Sequence, residues 1–369
     1  MLRSTRGPRY EAAELGFRHY WYPALRSHEV SQKPRALKML GENLVFVRAN
    51  AKAHALIDRC AHRGMVLSQG SCLAEGTITC PYHGWTFDVA DGRCVAALTD
   101  GPESSVVGRR GKRVRTYPVE ERNGVVYVYM GDGNPPPLEE DVPEVLLDHE
   151  RYVTGLSVNT WACNWRAAVE NGRDAAHAPV VHGNSLRWRT SLMVGPAWFG
   201  YVDNVLEGKY LHGRAREVGG MSVYPRVGRW PRYTWLRRTL AKRFRKRRQS
   251  GNIIQSNAFR LPSMIRNTYP EHTMVRWVVP VDADSCRNFM WLAHDARGLA
   301  RLGWLTQYWL WHKWVFTTWF TAQDQQIVER LDYSAPEQLF RPDSAIVGLR
   351  KYIETNARTR DPEPTSADT

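Results

Sequence analysis

Cys60-Ala61-His62-Arg63-Gly64 and Cys80-Pro81-Tyr82-His83-Gly84-Trp85 are the two stretches that decide how this chain is read. Seventeen residues separate His62 from Cys80, so two thiolates and two imidazoles arrive as one C-x-H clasp and one C-x-x-H clasp. A thiolate pair suits one iron of a [2Fe–2S] cluster, and a His pair on the other iron leaves the cluster less negatively charged. That ligand set raises the potential to roughly −150 to +300 mV, a range suited to passing single electrons onward. A structural zinc site competes with this reading, because two Cys and two His also satisfy tetrahedral zinc. Zinc signatures usually pair Cys with Cys and His with His. Here each clasp mixes the two, as a cluster straddling two irons requires.

A length of 369 residues suggests two domains, each able to bury a core. From Lys38 to Tyr129 the apolar residues fall in short β-rich runs, at Leu44–Val47, Ala53–Ile57, Gly76–Thr79 and Gly124–Tyr129, with turns such as Asp91-Gly92 between them. This punctuation predicts a small all-β domain over 15–135 that carries the clasps on two loops, preceded by a lead-in over 1–14. Gly131-Asp132-Gly133-Asn134-Pro135-Pro136-Pro137 breaks the chain. Beyond it, a helix over Asn164–Val181, strands over 195–224 and 252–294 and a long Trp-rich helix over about 300–330 predict an α+β domain spanning 136–356. The charged tail over 357–369 is expected to be disordered.

Six cysteines (60, 72, 80, 94, 163 and 286) are too few for a disulfide framework in a chain of this length. A thiolate-ligated cluster points to a reducing compartment, and the cytoplasm is the expected location. No apolar segment follows Arg3 and Arg6, and nowhere do eighteen uncharged apolar residues run together, so neither a secretion signal nor a membrane-spanning helix is expected.

A candidate second metal site runs through Asn164-Trp165-Arg166-Ala167-Ala168-Val169-Glu170-Asn171-Gly172-Arg173-Asp174-Ala175-Ala176-His177, with another His at 182. Taken alone the two histidines read as a structural or surface pair, and beside a cluster upstream they read as iron ligands. A spacing of five is awkward on one face of an α-helix. A π-bulge, or a break near Pro179, would bring His177 and His182 together. Asp174, three residues before His177, shares its face if the segment is helical, and can accept that ring's other N–H. One carboxylate completes the 2-His-1-carboxylate set of mononuclear non-haem iron(II). Asp324, among the neutral amides of Gln323-Asp324-Gln325-Gln326, is the choice, with Glu329 in reserve.

Together these motifs resemble the oxygenase component of the Rieske non-haem iron oxygenases along essentially the whole chain. Leu15–Pro23, Leu40-Gly41-Glu42-Asn43-Leu44, Tyr129-Met130-Gly131-Asp132-Gly133, Asn164–Asn171 and Trp277-Val278-Val279-Pro280-Val281-Asp282 are similar to the carbazole 1,9a-dioxygenase-type subgroup. The segment after His182 and the stretch around 225–250 depart from that subgroup. The resemblance implies a Rieske domain followed by a helix-grip-like α+β catalytic domain with an antiparallel sheet. It implies cluster ligands at Cys60, His62, Cys80 and His83, iron ligands at His177, His182 and Asp324, and an electron-bridging carboxylate at Asp174.

The same resemblance implies O₂ activation at the iron, with electrons passed singly by the cluster of a neighbouring subunit in a head-to-tail C3 homotrimer. His83 of one subunit would then bond to Asp174 of the next, which touches His177. Electrons originate in NAD(P)H and arrive through a separate ferredoxin or reductase, since no flavin or nicotinamide fingerprint is evident. By motif position the pocket is lined by Asn171, also counted with Asp174 as catalytic, and by Ala178, Val181, Leu261, Phe289, Phe320 and Thr321. This mostly apolar lining suits a small, flat hydrophobic substrate.

The formal net charge of +14 is concentrated, because Arg226–Arg248 holds eleven Lys and Arg and no acidic residue. The segment reads as a solvated insertion, a docking strip for an acidic ferredoxin, or a peripheral contact with anionic lipid. Nucleic acid is not expected as a partner, since no nucleic-acid fold accompanies the charge. Leu305–Phe320 carries Trp309, Trp311, Trp314 and Trp319, with Lys313 as its one charged side chain. It reads first as a buried helix leading to Asp324 and otherwise as an apolar substrate entrance. The leading function is hydroxylation or dihydroxylation of an aromatic or polycyclic compound. A monooxygenase that demethylates, or hydroxylates a steroidal or membrane-partitioned ring, is the second. A zinc-stabilised nucleic-acid or membrane-binding protein is the non-enzyme alternative.

Overall fold

The structure is a computed structural model that describes residues 6–108, 112–174, 176–177, 181–182, 202–215, 256–269 and 272–358. The chain divides into two compact units. One comprises 15–147 with 279–283 and the residues from 358 onward, and the other 1–14, 148–278 and 284–357.

The first unit is built from ten short strands: β1 (Trp21–Arg26), β2 (Arg35–Met39), β3 (Glu42–Ala49), β4 (Lys52–Ile57), β5 (Thr77–Thr79), β6 (Trp85–Asp88), β7 (Cys94–Ala97), β8 (Thr116–Tyr117), β9 (Val119–Arg122) and β10 (Val125–Tyr129). They form three antiparallel sheets, ordered β1-β10-β9, β2-β3-β4-β8 and β5-β6-β7. β10 reads Val-Val-Tyr-Val-Tyr and is buried on both faces, as a central strand without polar alternation must be. A core of Val45, Val47, Leu56, Leu67, Ile78, Phe87 and Val89 packs directly behind Cys60, Cys80 and Trp85. Cys80–Gly84 is the turn from β5 to β6, and Cys60–Gly64 follows β4, so both clasps are loops on a rigid frame.

In the second unit, β11 (Tyr152–Trp161), β12 (Val202–Glu207), β13 (Tyr210–Ala215), β14 (Ser256–Arg260), β15 (Met264–Thr268), β16 (Thr273–Pro280) and β17 (Cys286–Asp295) form one large antiparallel sheet. Their order among the described residues is β11-β17-β16-β15-β14-β13-β12. The helices of the described chain are α1 (Pro8–Ala12), α2 (Glu144–Leu147, in the first unit), α3 (Trp165–Arg173), α4 (Leu299–Gln307), a π-helical stretch over Tyr308–Phe320, α5 (Thr321–Val328) and α6 (Ser344–Asn356). Val153, Met290 and Leu292 of the sheet pack with Trp304, Tyr308, Val315 and Phe316 of the α4–π run.

Several expectations change. The helix expected over Asn164–Val181 ends at Arg173, and Asp174 follows in an extended conformation with ψ 112°. The helix near 300–330 is present, but its middle is π-helical. Trp304 is buried, but the four tryptophans of Leu305–Phe320 are not: Trp309, Trp311, Trp314 and Trp319 are each more than half exposed in the single chain. Arg358 is tied down by hydrogen bonds from Nη1 and Nη2 to Asp141 at 3.0 and 2.8 Å, which corrects the expected tail at its first residues. The basic run 226–248 and Ala178 lie outside the described residues. No helix among those described is long and apolar enough to cross a membrane.

Candidate active site

The two clasps share one backbone design. The Cys60 N–H donates to Met65 O at 2.8 Å and the Gly64 N–H returns to Cys60 O at 3.0 Å. The Cys80 N–H donates to Trp85 O at 2.8 Å and the Gly84 N–H to Cys80 O at 3.1 Å. Each loop turns on a glycine four residues after its Cys, with φ of +76° at Gly64 and +66° at Gly84. Only glycine takes that conformation without cost. Asp58 anchors the first clasp by accepting from both the N–H and the hydroxyl of Ser68, at 2.7 and 2.6 Å.

This design buries both sulfurs and leaves the imidazoles outward. Cys60 and Cys80 are each 3% exposed, whereas His62 is exposed and His83 half-buried. The His62 and His83 rings stand 4.7 Å apart, and His62 stacks on Trp85 at 4.7 Å with 7° between planes. Burial, with the neighbouring Cys80 sulfur adding to it, pushes the Cys60 thiol up to about 11. Ionising the buried Cys60 sulfur calls for a strong local cation, and the sulfurs-in, imidazoles-out arrangement fits a two-iron cluster.

The second constellation comes from elements far apart in sequence. Asn164 caps α3, its side chain accepting from the Arg166 N–H at 3.1 Å, and the helix stops at Arg173, one residue before Asp174. One turn later the Val181 N–H donates to His177 O at 2.9 Å, which sets His182 beside His177. α5 delivers Asp324. Its Oδ1 lies 3.2 Å from His177 Nε2 and 3.1 Å from His182 Nε2, and the three ligand atoms fall within 4.8 Å of one another. His182 Nδ1 meets Gln323 Oε1 at 2.9 Å, a contact that fixes the tautomer with Nε2 as the free ligand atom. Asp174 Oδ2 stands 3.6 Å from His177 Nδ1, while its Oδ1 accepts from the Ala176 N–H at 2.7 Å.

The electrostatics fit a cation. Burial disfavours the His177 imidazolium, but the carboxylates of Asp174 and Asp324 outweigh it and hold its pKa at about 9. Burial would push the Asp324 carboxyl up, and the two imidazoles more than offset this, holding it well below the ordinary carboxylate range. Two ring nitrogens and one carboxylate oxygen converging on one point are the donor set of a facial iron(II) site. A family model described as the Rieske [2Fe-2S] domain matches residues 20–118, and one described as homotrimeric ring hydroxylase matches 129–360.

The chain belongs to the Rieske ring hydroxylases. The terminal oxygenase component of carbazole 1,9a-dioxygenase from Sphingomonas sp. is 33% identical, covering 95% of this chain and 94% of its own. The corresponding component from Metapseudomonas resinovorans is 42% identical over 192 residues, 52% of this chain and 49% of that one. A solved structure of the carbazole-bound oxygenase in complex with ferredoxin superposes with a TM-score of 0.80 at 28% identity, covering 98% of this chain and 95% of that chain. This ring hydroxylase is therefore an oxygen-inserting oxidoreductase whose family uses a Rieske cluster and a non-haem iron.

The expected pocket residues divide. Phe320 stacks on His182 with ring centres 3.8 Å apart, and Asn171 Nδ2 reaches Asp324 Oδ1 at 3.4 Å. Thr321 is buried beside Met290, its hydroxyl 3.6 Å from that sulfur, and Val181 lies between the two histidines in sequence. Leu261 is buried in the turn between β14 and β15. Phe289 is not brought to the site. Side chains alternate along β17, and Asn288 and Met290 are the ones that meet the site's neighbours, so Phe289 points to the opposite face, where it stacks with Trp291. Glu329, the reserve ligand, instead accepts from the Ala162 N–H at 2.8 Å and the Gln325 amide at 2.7 Å. Reasoning from sequence missed Gln323, Arg276, Asn288 and Met290. Of these, only Gln323 carried a signal, as the neighbour of the proposed ligand.

Proposed function

We propose that this ring hydroxylase hydroxylates or dihydroxylates a flat hydrophobic aromatic or polycyclic substrate. In this reading His177, His182 and Asp324 hold the iron, and Cys60, His62, Cys80 and His83 hold the cluster. The observation that carries it is the convergence of His177 Nε2, His182 Nε2 and Asp324 Oδ1 within 4.8 Å of one another, with the Phe320 ring beside them. When bound, the cluster delivers single electrons and the iron activates O₂ for insertion into substrate. Phe320 gives the site an apolar wall parallel to the His182 ring, which favours planar ligands over polar ones. Gln323 holds the far nitrogen of the His182 ring at 2.9 Å, and the Asp174 carboxylate stands 3.6 Å from that of His177, leaving both Nε2 atoms for the metal.

Asp174 is half-buried beside His177, and in a homotrimer it would meet His83 of a neighbouring subunit and link the two redox centres. The exposed edge of the clasps supports an electron donor of acidic character. His62 and Tyr82 stand at the surface, with Arg63 5.8 Å from the Tyr82 ring and Lys112 5.9 Å from the Trp85 ring, a pattern that steers a negatively charged carrier such as a ferredoxin. NAD(P)H-derived electrons then reach the protein through that carrier or a reductase. We place the reaction in the cytoplasm, where thiolates stay reduced. The basic run 226–248 would rest on anionic lipid, a contact read by co-flotation with phosphatidylserine vesicles.

The deciding experiment is anaerobic purification, dithionite reduction and EPR, with iron and zinc analysis. A rhombic mixed His/Cys [2Fe–2S] signal with about three irons per chain is expected. A colourless protein holding one zinc sinks the reading. Product analysis under ¹⁸O₂ then separates a cis-diol or phenol from the formaldehyde of a demethylase. Asp174→Asn is expected to retain both metals and lose turnover, and normal product formation by that variant would remove Asp174 from the electron route.

A further inference from the structure

Beneath α3 lies a buried cation that the metal site does not itself require. Arg276, on β16, is 4% exposed. Its Nε donates to Asn288 Oδ1 at 2.8 Å, its Nη1 donates to Asn171 Oδ1 at 3.3 Å, and its Cζ stands 4.3 Å from the centre of the Trp161 ring. A guanidinium carries donors and no acceptor. Whatever atom of Asn171 faces it must therefore be the carbonyl oxygen, and the amide cannot flip without setting donor against donor. Asn171 Nδ2 is thereby turned toward Asp324 Oδ1, at 3.4 Å, the same oxygen that both His177 Nε2 and His182 Nε2 approach.

The fork is held from three further sides. Asn288 is oriented in turn by its Nδ2, which donates to Cys286 Sγ at 3.8 Å. Trp161 supports the flat face of the guanidinium. Gly172 opens the space above, since a Cβ there would lie 2.3 Å from Ile265 Cδ1 and 3.6 Å from Arg276 Nη1. A glycine inside a helix costs about 1 kcal/mol relative to alanine. That cost is offset here by the close approach of Ile265 and Arg276 to the helix backbone.

We propose that Arg276 is a positioning residue for the metal-binding carboxylate: its rigid fork locks the Asn171 amide, and the amide locks the oxygen that Asp324 presents to the iron. The inference rests on the reading of His177, His182 and Asp324 as the iron site. Lysine cannot replace this arginine, because a single ammonium on a flexible stem cannot serve Asn171 and Asn288 in one plane.

The test uses the full chain, depleted of mononuclear iron and titrated with Co(II), whose visible spectrum reports coordination geometry. If wild-type protein takes up no cobalt in a nitrogen/oxygen environment, the iron-site reading fails and the positioning inference falls with it. If wild type binds, Arg276→Met and Asn171→Leu are each expected to alter the cobalt spectrum in the same way. Each is expected to weaken binding by about 10- to 100-fold, the range for partners of metal ligands. The double variant should lose no more than the worse single, since both act through one contact chain. A wild-type spectrum and affinity in Arg276→Met overturns the proposal, as does a double variant whose losses multiply. Should Arg276→Met not fold, Arg276→Lys keeps the buried charge and carries the same comparison. A shifted spectrum supports the fork, and an unchanged one removes it.

Discussion

Metal uptake at the His177/His182/Asp324 site must displace protons, and the structure sets how strongly. A metal takes a neutral imidazole. His177 is held at about 9 by the Asp174 and Asp324 carboxylates against the opposing effect of burial, so at pH 7 its proton sits two units below release. At about 1.36 kcal/mol per unit, displacing it weakens apparent binding at pH 7 by about 2.7 kcal/mol, roughly a hundredfold, relative to pH above 9. The assay is Co(II) titration of iron-depleted protein from pH 6.5 to 9, by calorimetry in two buffers of different ionisation enthalpy. Binding should strengthen close to tenfold per pH unit, with about one proton released per cobalt at pH 7. Asp174→Asn removes one of the two raising carboxylates and should flatten the upper part of that slope. The metal-free protein should behave in the opposite sense. A His whose folded pKa is raised from 6.5 contributes stability that is fully present below 6.5 and lost as pH rises through about 9. Melting of the metal-free protein should therefore lose this contribution between those limits, while metal reverses the trend. Cobalt affinity that is flat across the range, with no proton release, refutes the argument.

Three further outcomes follow from other parts of the molecule. Arg350 is 1% exposed and donates to the Glu170 carboxylate at 2.6 and 2.9 Å and to that of Glu337 at 2.7 and 2.8 Å. Glu170→Leu leaves that buried charge half-compensated and should cost about 3 kcal/mol in urea unfolding, and a loss under about 1 would contradict the burial argument. Gly84→Ala places a Cβ 2.7 Å from Leu98 Cβ at a φ of +66°, so the second clasp should strain by roughly 1–2 kcal/mol. Its signature is faster bleaching of the cluster, and wild-type bleaching kinetics would argue against strain there. Cys60→Ser should abolish the red-brown colour and the rhombic signal while cobalt still enters the other site. Loss of both together would mean that the two centres do not fold independently.

How much of this was legible from residues alone depended on whether a site is local. The two clasps are contiguous, so ligand identity and spacing stand in one reading frame, and the mixed Cys/His pattern discriminates a cluster from zinc. The α+β character of the second unit was legible too, but two of its elements were not. β11 carries Gly155 at its middle, which reads as a break, yet a side chain there would collide with the Tyr308 ring at 2.3 Å. α6 buries Ala345, Leu349, Arg350 and Ile353, and the arginine interrupts its apolar stripe. Phe289 was assigned to the pocket by motif position alone, which cannot tell which face of a strand looks at the site.

Among the described residues, irregular winding flanks the site on both sides. On one side α3 stops at Arg173, so Asp174 leaves the helix, and the Val181 N–H reaches back to His177 O at 2.9 Å. On the other, Tyr308–Phe320 widens to a π-helix just before α5 presents Asp324. A π-turn shifts carbonyl partners from the fourth to the fifth residue, and two threonines answer that shift. Thr318 Oγ1 donates to Lys313 O at 3.3 Å and Thr321 Oγ1 to Phe316 O at 2.7 Å, each spanning five residues. The second of these bonds stands at the joint where α5 begins, with Phe320 on His182 immediately before it and Gln323 on His182 just after. Both flanking contacts belong to one histidine, so the rotation of α5 is keyed to His182. A regular α-helix through 308–320 would turn Asp324 away from that register, which is why a helix with irregular winding, and not a straight one, delivers the third ligand.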